Sequence, residues 1–233
     1  PSGAGRLMQQ ELEALDHALN NSAHPVAAVV GGNKISTKLG VLENLIRKVD
    51  HLIVGGAMAN TFLYASGVPV GTSLCEENMA VTAKNIIDKA NNADCKIHLP
   101  VDAVVASKLS YGSASSIVPI NAIPEEMMVL DVGPGTVDNI EILLDTCKTL
   151  VWNGPLGAFE FKPFDAGTNA TAKAAAKLTV AGKLLTVAGG GDTMSALENA
   201  GVTKNFTYIS SAGGAFLEWL EGKILPGVSV LIK

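Results

Sequence analysis

Charge is scarce in this chain. Only 17% of its 233 residues are charged, the net charge is −5, and aromatic side chains make up 5%. A weakly acidic chain without a basic cluster lacks the electrostatic footprint of a nucleic-acid or anionic-membrane binder. Neither partner is expected, and any anionic ligand must be held by local groups. No uninterrupted apolar run approaches the ~18 residues that a membrane helix needs. Cysteine is also rare: Cys75, Cys95 and Cys147 are odd in number and widely spaced. They make neither a disulfide framework nor a zinc motif, which points to a reducing, cytoplasmic setting. His17, His24, His51 and His98 show no metal-ligand spacing. The Walker A loop, the dinucleotide GxGxxG and the hydrolase elbow GxSxG are absent. Pro1 to Gly5 leads into a charged helical segment rather than an apolar stretch, so no secretory leader is expected. The missing initiator Met suggests a processed chain or an excised fragment.

Apolar residues, at 48%, and glycine, with 24 copies, are abundant. Such a composition can bury a substantial core in one large domain or two small ones. From Arg6 to Asn20, Leu7, Met8, Leu12, Leu15 and Leu19 recur at helical spacing among polar residues, which predicts an amphipathic helix. After Pro25 the pattern becomes short, continuous apolar runs, each ending at a turn rich in glycine and followed by helix-period sequence. The runs are Val26 to Val30, Leu52 to Val54, Val129 to Val132, Leu150 to Trp152, Leu184 to Ala188, and Phe206 to Ile209. Helices are expected over Lys38 to Lys48, Ala57 to Ala65, Glu76 to Asn91, Thr136 to Lys148, Asp165 to Leu178, Thr193 to Asn199, and Gly214 to Glu221. Lys96 to Asn121 breaks the alternation and reads as one or two strands plus a surface excursion. The alternation implies an α/β fold: a doubly wound, mainly parallel sheet with helices on both faces, Rossmann-like, in three layers. Roughly half of the glycines fall in the loops after strands, the edge where open parallel sheets bind ligands.

Four of those loops could carry chemistry. Gly31 to Lys38, GGNKISTK, places Lys34 and Lys38 four residues apart at a helix start. Lysines there oppose the macrodipole unless an anion joins them, so they read either as phosphate ligands or as solvated charges. Gly189-Gly190-Gly191-Asp192-Thr193 offers backbone N–H groups to an anion and a carboxylate to a divalent metal, although Asp192 could equally cap a helix. Trp152 to Phe161, WNGPLGAFEF, makes a rigid, partly apolar wall in which Glu160 could accept sugar hydroxyls, or a tight turn with two core phenylalanines. Ser210 to Gly214 opens another helix with free amides, as do many helices without a ligand.

Taken together and in order, these loops resemble the phosphoglycerate kinase family, specifically its carboxyl-terminal, nucleotide-binding lobe. The resemblance runs over essentially the whole chain, through GGNKISTK, VGGAMANTF, LPVD at Leu99 to Asp102, WNGPLGAFEF, AGGGDT and SSAGGAFLEWLEGK. It implies phosphoryl transfer between 1,3-bisphosphoglycerate and MgADP, giving 3-phosphoglycerate and MgATP. It makes Lys38 a ligand of the nucleotide phosphates and Lys34 a contact of the transferring group. Gly213 and Gly214 would offer amides to that group. Asp192 would hold magnesium with the nucleotide, and Thr193, Gly190 and Gly191 would lie at its phosphates. Glu160 would take the ribose hydroxyls, with Asn153 lining the same wall. Gly31, Gly32, Gly56, Ala57, Leu74, Leu130 and Ala158 would form the adenine slot. Phosphoryl transfer suits such a set, because it asks for position and positive charge more than covalent work.

The chain departs from the family pattern at Ala57 and Ala212, where a third glycine is usual, and at Leu156, where proline or valine is commoner. At position 212 a Cβ restricts φ and takes space beside the transferred group. The resemblance divides the chain into a leading helix from the inter-lobe junction, residues 1–22, and a nucleotide-binding domain, residues 23–233. The family's first lobe, which binds phosphoglycerate and closes on the second about a hinge, has no counterpart here. The expectation is a monomer that binds MgADP or MgATP with negligible turnover by itself. A stand-alone, non-catalytic nucleotide-binding module is the alternative, and an oxidoreductase domain is disfavoured by the missing fingerprint.

Overall fold

The structure is a computed structural model that describes residues 18–19, 21–210 and 212–223. Apart from Ala18 and Leu19, which are helical and buried, the expected leading helix lies outside the described residues. So does the end of the chain from residue 224 on.

The frame is a six-stranded sheet, built from β1 (Val26–Val30), β2 (His51–Val54), β3 (Lys96–His98), β7 (Thr149–Asn153), β8 (Leu185–Gly189) and β9 (Tyr208–Ser210). The spatial order is β3-β2-β1-β7-β8-β9, and every adjacent pair is parallel. A parallel sheet needs helical crossovers, and these cover both faces. One face carries α1 (Leu39–Leu45), α2 (Ala57–Ala65), α3 (Ala80–Asn92) and α7 (Gly213–Leu220), packed on Ala28, Val30, Leu52 and Val187. The other carries α4 (Pro134–Thr146), α5 (Ala166–Val180) and α6 (Gly191–Asn199), packed on Ala27, Val29, Leu150 and Trp152. All five residues of β1 are buried, which is why it reads as a continuous apolar run rather than an alternation. The three-layer expectation is thus met.

The expected six-strand edge needs one correction. β6 (Met128–Val132) belongs to a second sheet, where it pairs antiparallel with β4 (Asp102–Ala106), and β5 (Ser116–Pro119) flanks β4 on the other side. Between His98 and Met128 the chain forms only strands, loops and a single 3-10 turn, without the helix that a parallel crossover requires. The stretch expected to hold one or two strands therefore holds three, β3 in the main sheet and β4 and β5 in the small one.

Two carboxylates, Asp102 half-buried and Asp131 buried, fasten the small sheet to the large layers. Asp102 on β4 accepts the first-turn amides of α4, Gly135 N and Thr136 N, both at 2.8 Å, and the Thr136 hydroxyl at 2.6 Å. It caps a helix 33 residues away, where α4 itself begins with Pro134 and no local side-chain cap. Asp131 on β6 is 1% exposed and accepts Gly167 N of α5 at 2.7 Å and its own neighbour Val132 N at 2.9 Å. Burial pushes the Asp131 carboxyl up to about 8, and Asp165 adds to the rise, while the two N–H bonds oppose it.

Asp102→Ala strips α4 of its cap and should lower stability by about 1–2 kcal/mol, read as a shift of the urea midpoint at unchanged slope. For Asp131, the unfolded carboxyl ionises near 3.8 while the folded one holds its proton up to about 8. The native state then binds the extra proton, so this group's contribution to stability falls as pH rises across that window. Asp131→Asn should flatten the decline in melting temperature between pH 5 and pH 8; equal slopes in both proteins would contradict the assignment.

Candidate functional site

The strand order reverses direction between β1 and β7, and open α/β sheets bind ligands in the crevice outside such a switch point. Here the loops after the strands are packed backbone to backbone. Gly31 N donates to Asn153 O at 2.8 Å, Gly56 N to Leu156 O at 2.9 Å, and Met58 N to Gly32 O at 2.9 Å. A Cβ on Gly31 would lie 1.8 Å from Pro155 O, and one on Gly154, whose φ is +97°, would lie 2.2 Å from Gly31 O. Only glycine admits this approach at both positions. The loop after β8 joins through Asn153 Nδ2, which donates to Gly189 O at 2.7 Å. The loop after β9 closes the row, with Gly213 against Gly190 and Gly191.

This packing gathers the expected cation and amide donors. Lys38 stands at the N-cap of α1, half-buried, and its Nζ donates to Asn153 Oδ1. Burial depresses the Lys38 pKa, and attraction from Asp192 and Glu221 partly restores it. Lys34 is exposed, in a loop pinned by Glu76, which accepts Ser36 N at 3.1 Å and Ser36 Oγ at 2.6 Å. α6 begins at Gly191 and α7 at Gly213, so two helix N-termini, whose first-turn amides have no partner within their own helix, stand side by side. With Lys38 drawn toward Asp192 at the same edge, the two dipoles make a rim chemically suited to an anion. Ala212 sits at φ −100°, an ordinary value, so its Cβ brings no backbone strain where the family pattern has glycine.

Beside the rim opens a cavity of about 350 Å³. Gly32, Gly56, Ala57, Leu74, Leu130 and Ala158 line it, as do Glu160 and Asp192. Thus six of the residues expected around a base share one wall with the expected sugar and metal ligands. Gly31 does not line this cavity, because it is packed behind on Gly154 and Pro155. Asn153 faces Lys38 and Gly189 instead. Thr193 is 1% exposed, and its hydroxyl accepts Gly154 N at 2.7 Å, so it braces the loop after β7. Sequence reasoning missed Asn60, Pro100, Leu109, Met128 and Asp131, which also line the cavity. Of these, Asn60 could have been found, since it lies three residues after Ala57 on the same face of α2. A larger cavity of about 450 Å³, between β3 and α4, is lined mainly by apolar side chains and by none of the strand-end glycines.

Among the described residues no group of three or more His, Cys, Asp or Glu could cage a metal. The exposed carboxylate of Asp192 in the first turn of α6 suits magnesium that arrives with phosphates, since that ion takes one or two carboxylates and substrate oxygens. No described helix is long and apolar enough to cross a membrane.

A sequence model of phosphoglycerate kinase matches residues 1–223. Phosphoglycerate kinase of Dinoroseobacter shibae is 59% identical over 231 residues, covering 99% of this chain and 59% of that protein. The Agrobacterium fabrum enzyme is also 59% identical, over 99% of this chain and 58% of its own length. The structure of phosphoglycerate kinase from Coxiella burnetii superposes with a TM-score of 0.93 at 46% identity, covering 98% of this chain and 58% of that one. The Pyrococcus horikoshii enzyme superposes at 0.82 and 30% identity, over 97% and 56%. The chain therefore spans a little under three-fifths of these relatives. With the glycine-bound rim, the switch-point cavity and this similarity over nearly all its length, the chain belongs to the phosphoglycerate kinase family.

Proposed function

We propose that this chain is the adenine-nucleotide-binding lobe of a phosphoglycerate kinase, which moves a phosphoryl group between 1,3-bisphosphoglycerate and MgADP to give 3-phosphoglycerate and MgATP. The observation that carries the reading is Lys38, a half-buried ammonium with a depressed pKa beside two helix N-termini and an apolar cavity. An ammonium short of water gains from a phosphate oxygen more than a solvated one does.

In this reading the base enters between Ala57, Leu74, Leu130 and Ala158, and Glu160 accepts the ribose hydroxyls. Lys38 and the amides of Gly190 and Gly191 hold the nucleotide phosphates. Lys34 and the amides of Gly213 and Gly214 stabilise the charge on the group in transfer, where preorganised donors act most strongly. Asp192 would hold magnesium, which would supply neutralising charge to the nucleotide phosphates. Thr193 and Asn153 act behind the surface, one bracing the Gly154 loop and the other orienting Lys38.

In the same reading residues 23–233 make up the nucleotide-binding domain, and residues 1–22 are the segment that comes from the inter-lobe junction. The relatives' additional length is where phosphoglycerate would be bound. Alone, the chain acts as a cytoplasmic monomer that binds MgADP without turning over.

Titration calorimetry with MgADP should show saturable binding, weakened at least about tenfold by Lys38→Ala, the scale of one charge-assisted hydrogen bond. No binding to the wild-type chain would overturn the nucleotide reading. In a coupled assay the chain alone should show no turnover, and addition of a relative's phosphoglycerate-binding lobe should restore it. Turnover at a full enzyme's rate without that lobe would overturn the division of labour.

A further inference from the structure

We propose that the larger cavity, of about 450 Å³ between β3 and α4, is a second ligand site, and that it takes an amphiphilic monocarboxylate, an apolar chain ending in one carboxylate. Its volume falls in the range of small-molecule sites. One side is made by Ile53, Val54 and β3 with Leu99. The other is one face of α4, where Thr136, Asn139, Ile140, Leu143 and Thr146 recur at helical spacing. From Thr136 to Thr146 that face is about 15 Å long. α4 runs antiparallel to the strands beside it. At one end Val101 N, after β3, donates to Thr136 Oγ1 at 3.0 Å, and at the other Lys148 N, after α4, donates to Pro25 O, before β1, at 2.8 Å. Lys96, which opens β3, therefore lies at the Thr146 end, and Pro100, Val132 and Leu156 lie at the Thr136 end. Those last three also line the 350 Å³ cavity, so the two cavities share a wall. Leu156, in that wall, is one of the positions where the chain departs from its family pattern.

The lining selects the ligand. Among the described residues Lys96 supplies its one positive charge, no carboxylate lines it, and Lys96 joins none of the ion pairs. Most other polar groups are committed to the protein. Thr136 Oγ1 donates to Asp102 Oδ1 at 2.6 Å and Thr146 Oγ1 to Leu143 O at 2.7 Å, while His98 Nε2 meets His51 Nδ1 at 3.2 Å. Burial, with His51 and Lys96 adding to it, lowers His98 to about 4, so at neutral pH it brings no charge. Ordered water needs several polar partners, and away from Lys96 this lining leaves it few. An apolar chain suits Ile53, Ile140, Leu143 and Leu156, and the opposite charge suits Lys96. An amine on the same chain would meet like charge, and a neutral head would leave the lysine without a counter-ion. Lys96 is exposed, and an exposed ion pair contributes little, so apolar burial supplies most of the affinity and the charge supplies selectivity.

The test is titration of the chain with decanoate, decanol and decyltrimethylammonium, each below its micelle-forming concentration, followed by calorimetry and by the methyl resonances of Ile, Leu and Val. Decanoate should bind saturably, one per chain, and shift the methyls of Ile53, Ile140, Leu143 and Leu156 together. It should bind about fivefold more tightly than decanol, the upper scale of an exposed ion pair, with decyltrimethylammonium weaker still. Lys96→Glu should bring decanoate to or below the affinity of decanol, while decanol binding stays within about twofold and the melting temperature is unchanged. Leu143→Trp, which fills the middle of the cavity, should abolish binding of all three. Where Leu143→Trp does not fold, Lys96→Glu at its exposed position decides. Equal affinities for the three amphiphiles, decanoate binding unchanged in Lys96→Glu, or shifts that never saturate overturn the proposal. So does a wild-type dimer that Ile142→Lys converts to monomer, since that result gives the groove to a second copy of the chain. None of these readouts involves MgADP, so their failure leaves the nucleotide reading untouched.

Discussion

Everything at the binding edge depends on how closely two neighbouring loops can approach. The loops after β1 and β7 touch through main-chain atoms, Gly31 against Gly154 and Pro155, and nothing with a side chain could stand at either glycine. That contact brings Asn153 to Lys38, and Asn153 in turn ties the loop after β8, whose Gly190 meets Gly213 of the loop after β9. The rim is therefore a chain of backbone contacts across the sheet, and its side chains are placed as a consequence. Glycine here gives proximity rather than looseness.

Much of this was legible before any coordinates. Strands buried on both faces read as unbroken apolar runs, so β1, β7 and β8 were found within a residue or so, and the helices between them followed from the 3.6 period. The periodicity of Met128–Val132 is the same as theirs, and composition cannot say which sheet a run joins; only the lack of a crossover helix upstream decides it. Asp102 and Asp131 were harder still. Their partners, Thr136 and Gly167, lie more than 30 residues away, and a carboxylate that caps a remote helix leaves no local pattern. Thr193 shows a role with no local signal of its own: in a glycine-rich helix start its hydroxyl turns inward and accepts Gly154 N.

The small antiparallel sheet gives the site its depth. The main sheet alone would offer a rim of amides and cations above an open edge. β6 lays Leu130 along the cavity, and Leu130 O accepts Ala158 N at 2.8 Å, so the wall after β7 is paired with it almost as a further strand. Asp131, one residue on, holds the start of α5 against the same wall. An insertion that interrupts the βα rhythm thus supplies the second side of a cleft whose first side is the rhythm itself.

The Lys38–Asn153 contact also bears on how a ligand can arrive. In the free protein the ammonium already leans on a neutral oxygen, the Asn153 amide, anchored at its other end to Gly189. An incoming phosphate can replace that oxygen with one of its own. The exchange resembles ligand substitution at a metal: one donor atom leaves as another enters, and the half-buried charge is never bare along the way. Asn153 serves as a resident placeholder, keeping the lysine aimed at the rim during the intervals when nothing else is there.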